Sequence, residues 1–273
     1  MIVVTGATGN VGRHVVDELV AAGAEVRALT RDPDSARLPE GVRVARTADL
    51  PLEGADAVFL NPAVVWDKGP GELLREAARA GVRRIVTLSS SSVLHPGPGN
   101  DIGNHHHELE TEIEASGLAW THVRPGAFAS NALQWAEQIR KGDVVYGPYA
   151  QAHTAPIHEA DIAAVAARAL LGEDHAGQAP VLSGPQSLTF AEQVSIIGEA
   201  LGRPLRYEEI PPEAAREAMT GGGLPANVAD TLLRMYAGFV GRPAEISAET
   251  ERITGRPGRT FAQWASDHAA AFS

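Results

Sequence analysis

The sequence predicts an α/β protein: a doubly wound parallel sheet of the Rossmann type, with a smaller, mostly helical C-terminal lobe. Three observations predict it. Short apolar runs alternate with helix-spaced apolar patterns through the first 125 residues, a rhythm that requires helical crossovers between parallel strands. A glycine turn, Gly6-x-x-Gly9-x-x-Gly12, separates the first apolar run from the first helical pattern. After about residue 185 the strand pattern gives way to helical ones.

The elements follow in order. Ile2, Val3 and Val4 form an unbroken apolar run, as expected of a strand covered on both faces. A helix is expected over Val11–Ala22, with Val11, Val15 and Leu19 on one face. Further strands are predicted at Glu25–Leu29, Val42–Ala45, Ala57–Leu60, Arg84–Leu88 and Ala119–Val123, and helices at Gly71–Ala80 and His105–Ser116. The link Arg46–Asp56 is too short for a full helix. Right-handed crossovers follow from the topology. Beyond these, Ala160–Leu170 is an Ala-rich helix with Asp161 near its start, where an acid suits the helix dipole. Thr189–Leu201 is opened by Thr189 or Ser187, and Pro211–Thr220 and Ala226–Val240 flank the loop Gly221–Pro225, which can also be read as a hinge. Leu232, Leu233, Tyr236, Phe239 and Val240 form a stripe read as core, with a pocket wall or dimer face as the alternative. The expected division is a dinucleotide-binding domain over 1–184 and a substrate-binding lobe over 185–273, with 131–155 assignable to the lobe.

Composition narrows the function classes. The chain has 273 residues and a net charge of −11, which argues against broad nucleic-acid binding. No apolar run approaches the ~20 residues of a membrane span, and a first strand at residue 2 leaves no room for a signal peptide. There is no cysteine, hence no disulfide framework. A cytoplasmic protein acting on a small molecule is expected, as a monomer or homodimer.

The glycine turn names a ligand class. Gly6 permits a turn that side chains would strain, Gly9 lets backbone approach a pyrophosphate, and Gly12 allows close packing of the helix. Thr8, Asn10, Val11 and Gly12 then surround a helix N-terminus whose free N–H groups suit phosphates. Many dinucleotide sites place an acid at the end of the second strand to hold a ribose hydroxyl. Here Thr30-Arg31 stands there, and Arg31 suits the extra phosphate of NADP, with Arg13 as a second contact. Asp32 follows at once, and turned inward it would oppose that reading. Ligands sit beyond the C-terminal ends of the strands. That places Ala48–Leu50, Asn61-Pro62-Ala63, Ser89–Ser92 and Pro125-Gly126-Ala127 around the site.

At this point the chain resembles a known family. Thr5-Gly-Ala-Thr-Gly-Asn-Val-Gly-Arg13, Leu29-Thr-Arg-Asp-Pro33, Gly54-Ala-Asp-Ala-Val-Phe59, Ser116-Gly-Leu-Ala-Trp-Thr-His-Val-Arg-Pro-Gly126 and Pro156-Ile-His-Glu-Ala-Asp-Ile-Ala163 resemble the atypical short-chain dehydrogenases of the NmrA-like group. That group includes NADPH-dependent quinone oxidoreductases of the second type, azoreductases and redox-sensing regulators. Ordinary short-chain dehydrogenases carry a Tyr-x-x-x-Lys pair, in which the tyrosine moves the substrate proton. None of Tyr146, Tyr149, Tyr207 and Tyr236 lies four residues before Lys68 or Lys141, so the pair is absent. The resemblance puts His106 and Glu110 in its places and Ser91 where an auxiliary serine stands.

The missing pair has a chemical meaning. An unactivated ketone needs a proton for its developing alkoxide, whereas a quinone yields an anion stabilised by conjugation. The expectation is therefore an oxidoreductase passing hydride from NADPH to a quinone-like or other conjugated small molecule, with His106 and Ser91 handling the proton or oxygen. The alternatives are a non-catalytic NADP-binding redox sensor and a secondary-metabolism reductase acting on one aromatic intermediate. His105-His106-His107 invites a general-acid reading, since histidine titrates near neutral pH, beside that of a solvated helix-start cluster. Metal binding is not expected, because adjacent helical positions point apart. Trp66 can stack on a substrate ring or cover the core. The loop His95–Asn104, flexible by composition, lies where a substrate should enter.

Overall fold

The computed structural model describes residues 1–97 and 99–273; Pro98, in the loop expected to admit substrate, lies outside the described residues. In chain order the elements are β1 (Ile2–Thr5), α1 (Gly12–Ala21), β2 (Val26–Thr30), β3 (Arg43–Arg46), β4 (Ala57–Leu60), α2 (Gly71–Ala80), β5 (Arg84–Leu88), α3 (Asp101–Ala115) and β6 (Ala119–Pro125). There follow α4 (Ala136–Lys141), β7 (Val144–Gly147), β8 (His153–Thr154), α5 (Glu159–Leu171), β9 (Val181–Leu182), β10 (Leu188–Thr189) and α6 (Phe190–Leu201). The chain closes with β11 (Arg206–Glu209), α7 (Pro212–Gly221), α8 (Ala226–Phe239), α9 (Glu249–Thr254) and α10 (Phe261–Asp267).

Two compact units result, one of 1–126, 159–182 and 248–257, the other of 127–158, 183–247 and 258–273. The chain thus crosses between units several times; the sequence pattern divides it near 184 and allows 131–155 to join the lobe. Residues 248–257 return because α9 packs on α5, and 127–158 join the second unit because β7 pairs with β11.

The first unit is built on a seven-stranded parallel sheet in the order β3-β2-β1-β4-β5-β6-β9. The chain runs outward from β1 to β3, then returns to place β4 on the other side of β1. That reversal between β1 and β4 opens a crevice at the strands' C-terminal ends, where such sheets bind ligands. β1, β4 and β5 are buried throughout, which explains the apolar runs Ile2–Val4 and Ala57–Leu60 and the apolar Ile85, Val86 and Leu88 of β5. On one face Val3, Val58 and Ile85 meet Leu73 and Ala77 of α2 and Leu109 and Ile113 of α3. The other face carries α1 and α5. α5 is alanine-rich because it is squeezed: it packs on α1 and α9 and on β4, β5 and β6, and ten of its thirteen residues are buried. Glu159 and Asp161 both lie in its first turn.

β9 was not expected. It has two residues, too few to show a period, and only its register with Arg124 and Pro125 makes it a strand. The helix expected to start at His105 begins at Asp101. The Asn100 carboxamide caps it by accepting the Gly103 N–H at 2.9 Å, while its Nδ2 donates to the Ser92 and His95 carbonyls. Asn104 likewise bonds Gly97 in both directions, so side chains hold this composition-poor loop on either side of Pro98.

The second unit has its own core around Trp135, Ile139, Val145, Phe190, Ile197, Phe261, Trp264 and Phe272. Thr189 rather than Ser187 opens α6: it accepts the Glu192 N–H while Glu192 accepts its own, a closed capping box. Of the apolar stripe on α8, Tyr236 and Phe239 pack toward this core, with Tyr236 edge-on to Phe190 at 5.0 Å, and Leu233 is buried. Val240 lies past the helix and is exposed. Among the described residues no helix is long and apolar enough to cross a membrane.

Candidate functional site

The site is assembled in the first unit, at the C-terminal ends of β1, β2, β4 and β5. β1 ends at Thr5, whose hydroxyl donates to the Phe59 carbonyl at 3.0 Å and accepts the Asn61 N–H at 2.8 Å. One side chain thus ties the ends of β1 and β4 together across the crevice. Asn61 caps the short turn Pro62–Val64 by accepting the Ala63 N–H, and its amide lies against Gly6.

The glycine turn is closed tightly on itself. Gly6 has φ +61°, and a Cβ there would lie 2.8 Å from Asn61 Nδ2. A Cβ on Gly9 would sit 3.2 Å from the Gly6 carbonyl oxygen, and one on Gly12 only 2.2 Å from it and 2.8 Å from its carbon. Gly12 is therefore required by the turn's own backbone more than by contact with a strand. The Gly9 N–H donates to the Gly6 carbonyl and the Arg13 N–H to that of Gly9. Among the described residues the N–H groups of Thr8, Asn10 and Val11 have no partner, and they stand at the N-terminus of α1. Three free amides at a helix start, backed by backbone too close for a side chain, have the donor chemistry that suits an anion. The Thr8 and Thr30 hydroxyls meet at 3.1 Å and join this turn to the end of β2.

Beyond Thr30 the charge pattern is resolved. The Arg31 side chain is exposed, with no hydrogen bond or ion pair among the described residues. Asp32 does not turn inward. The Ser35 hydroxyl and the N–H groups of Asp34 and Ser35 hold its carboxyl below the ordinary range. Register places Arg46 beside Thr30, so a second arginine, missed in the sequence, stands at the same edge and adds to the field at Asp32. Its only sequence signal was its place at the end of the third strand. Arg13 is differently engaged: its guanidinium lies 3.8 Å from the buried carboxylate of Glu159.

On the other side of the crevice is a buried polar network. Glu110 on α3 is 2% exposed, yet its oxygens accept Arg124 Nε at 2.9 Å, Arg124 Nη2 at 2.6 Å and the Ser89 hydroxyl at 2.5 Å. Burial pushes the Glu110 pKa up, but the Arg124 and Ser89 hydrogen bonds and the charges of His122 and Arg124 together hold it below the ordinary carboxylate value, so Glu110 stays ionised. Ser89 thus spends its hydroxyl on Glu110, while Pro62 and Pro125 are buried at the ends of β4 and β6. Glu110, Glu114 and His122 bring one potential ligand atom each within 4.8 Å of one another, but the Arg124 charge already sits on Glu110 and repels a second cation.

His106 lies one turn before Glu110 and is 7% exposed, not solvated. Burial, and then the neighbouring His105, push its pKa down to about 4. The expectation of a ring titrating near neutral pH is therefore corrected: His106 is a neutral imidazole, able to donate one N–H but not an imidazolium proton. Its Nδ1 is buried without a partner. Ser91 opens the short helical turn Ser91–Leu94, with its hydroxyl beside Gly126. α3 packs on this turn: a Cβ on Gly103 would lie 2.5 Å from the Ser92 carbonyl oxygen.

The depressed pKa has a stability consequence. A folded pKa of about 4 against about 6.5 unfolded means that the neutral ring's contribution is full above pH 6.5 and is lost as pH falls toward 4. His106→Gln is expected to reduce the stability difference between pH 7.5 and pH 4.5 by about 2–3 kcal/mol in urea unfolding. Equal pH dependence in both proteins would show that the ring titrates alike folded and unfolded.

Comparison with known proteins places this geometry. Residues 6–173 match the profile of a family described as NAD(P)H-binding. The chain is 40% identical to (4-alkanoyl-5-oxo-2,5-dihydrofuran-3-yl)methyl phosphate reductase of Streptomyces griseus, over 100% of this chain and 99% of that one. It is 38% identical to the NAD(P)H azoreductase of Xenophilus azovorans, again over 100% and 99%. Its fold is similar to that of an NADPH-dependent quinone oxidoreductase of Escherichia coli solved with NADPH, with a TM-score of 0.81 and 25% identity over 98% of this chain and 99% of that one.

Proposed function

The chain belongs to the NAD(P)H-binding family, and from that premise we propose that it is an NADPH-dependent reductase of a small, conjugated acceptor such as a quinone. The observation that carries this reading is the closed Gly6–Gly9–Gly12 turn with its three free amides at the β1–β4 reversal. The relatives support the acceptor class, since a quinone, an azo compound and an acyl-dihydrofuranone all carry conjugated π systems.

In this reading the amides of Thr8, Asn10 and Val11 hold the pyrophosphate, with Gly6, Gly9 and Gly12 keeping side chains away. Arg31 and Arg46 hold the 2′-phosphate; Arg13, already facing Glu159, braces the turn from behind. Thr30, Asn61, Pro62, Ser89 and Pro125 shape the rest of the crevice. When bound, NADPH supplies a hydride from its nicotinamide. His106 offers a neutral N–H and Ser91 a hydroxyl to the acceptor oxygen, and Glu110, neutralised by Arg124, holds α3 in place. No group here supplies the strong proton donation that a simple ketone requires. The reading includes a cytoplasmic location, a substrate-binding role for the second unit and a monomer or homodimer.

The test is a fluorescence titration of NADPH and NADH against wild type and Arg31→Ala, with a quinone panel then added. Arg31→Ala is expected to weaken NADPH by roughly 10-fold, the value of a charge-assisted contact, and to leave NADH unchanged. Equal loss for both nucleotides would remove Arg31 from phosphate recognition. Binding without NADPH consumption by any acceptor would favour the sensor, and no binding of either nucleotide would sink the reading.

A further inference from the structure

Trp66 stands apart from the other tryptophans. Trp135 and Trp264 are buried in the second unit's core, and Trp120 stacks on His122 at 4.5 Å. Trp66 is 42% exposed. It is not among the residues packed on the first unit's core, although its neighbour Val65 is buried there and Val64 packs against it. A ring of this size left in water, when the chain on its N-terminal side is anchored, is an unspent contact surface.

Its position gives that surface a purpose. Trp66 follows the turn capped by Asn61, at the C-terminal end of β4. Its ring lies on His105 with centroids 3.9 Å apart, and meets His106 edge-on at 5.7 Å. α3, which carries both histidines, is locked to the Ser91–Leu94 turn by Asn100. The aromatic pair therefore stands beside the groups expected to meet the acceptor, with its His105 side carried on an anchored helix.

We propose that Trp66, backed by His105, is the ring-stacking wall for the acceptor and the residue that makes the site select flat conjugated molecules. This rests on the reductase reading above. Offset stacking on a fixed indole favours an extended planar ring system over a saturated or bulky one of the same size.

Two arms test it. In the first, without NADPH, anthraquinone-2-sulfonate is titrated by calorimetry and by tryptophan fluorescence. Wild type is expected to show saturable binding and quenching. Trp66→Ala should bind roughly 3- to 10-fold more weakly and Trp66→Phe nearly as well as wild type, with the saturable quenching lost from both. In the second, the KM for menadione should rise by the same factor in Trp66→Ala with kcat within about 2-fold, and Trp66→Phe should restore it. Unchanged affinity and KM in Trp66→Ala would overturn the proposal. So would a fall in kcat and NADPH affinity together that Phe does not rescue, which marks a structural role. If wild type reduces no quinone, the reductase reading fails alone. The first arm still decides the wall: Trp66-dependent binding upholds it and no binding overturns it.

Discussion

Gly12→Ala is expected to lower NADPH affinity by roughly 100-fold, close to loss of measurable binding, while the protein still folds. The added methyl would lie 2.2 Å from the Gly6 carbonyl oxygen and 2.8 Å from its carbon, and both are backbone atoms that no rotamer change can move. The turn must open by more than an ångström, at about 2–3 kcal/mol of strain. Opening it displaces the amides of Thr8, Asn10 and Val11, the proposed pyrophosphate contacts. Gly9→Ala should cost less strain, because its Cβ would approach the same oxygen at 3.2 Å, a gap the turn can absorb. Nucleotide titration and circular dichroism on both variants check this. If Gly12→Ala binds NADPH like wild type, the close packing is not what shapes the cradle.

Glu110→Ala is expected to cost about 3–5 kcal/mol of stability, the largest folding effect at the site. It leaves the Arg124 guanidinium without either of its two carboxylate contacts and the Ser89 hydroxyl without its acceptor. The penalty is that of the stranded charge, not the net worth of the pair. Glu110→Leu combined with Arg124→Leu should therefore recover most of the loss. The pH dependence has a definite sign. Arg124 and Ser89 hold the Glu110 pKa below the ordinary carboxylate value, so the pair's contribution is full above that value. It is lost as pH falls through the lowered folded pKa. Urea unfolding of the single and double variants at neutral pH checks the energetics. A single variant as stable as wild type would show that water reaches Arg124 and replaces the carboxylate.

The parts of the fold legible in the sequence were those whose signal is local. Ile2–Val4 and Ala57–Leu60 are apolar, and Arg84–Leu88 largely so, because both faces of their strands are covered, and each lies in a strand of the structure. The glycine spacing was legible for the same reason: φ and close approach constrain residue type position by position. The place of Arg31 could be read because it follows a recognisable strand end, β2 closing at Thr30. The start of α3 was missed because Asp101–Asn104 carries little apolar periodicity, and its cap, Asn100, lies in a run of glycines and prolines.

The amino-acid sequence alone determined the parallel α/β class, the dinucleotide turn and the absence of a Tyr-x-x-x-Lys pair, since each is read from residue types and their spacing along the chain. The tertiary structure decided the rest, because those properties belong to pairs of residues far apart in the chain. Register set Arg46 beside Thr30 and made a strand of Val181–Leu182. Folding brought Arg124 to Glu110 across a helix and a strand, turning the residue in the lysine's place into a neutralised brace. Burial lowered the His106 pKa to about 4, against the value its residue type suggested. Desolvation and charge pairing are set by what surrounds a side chain, and those surroundings exist only once the chain has folded.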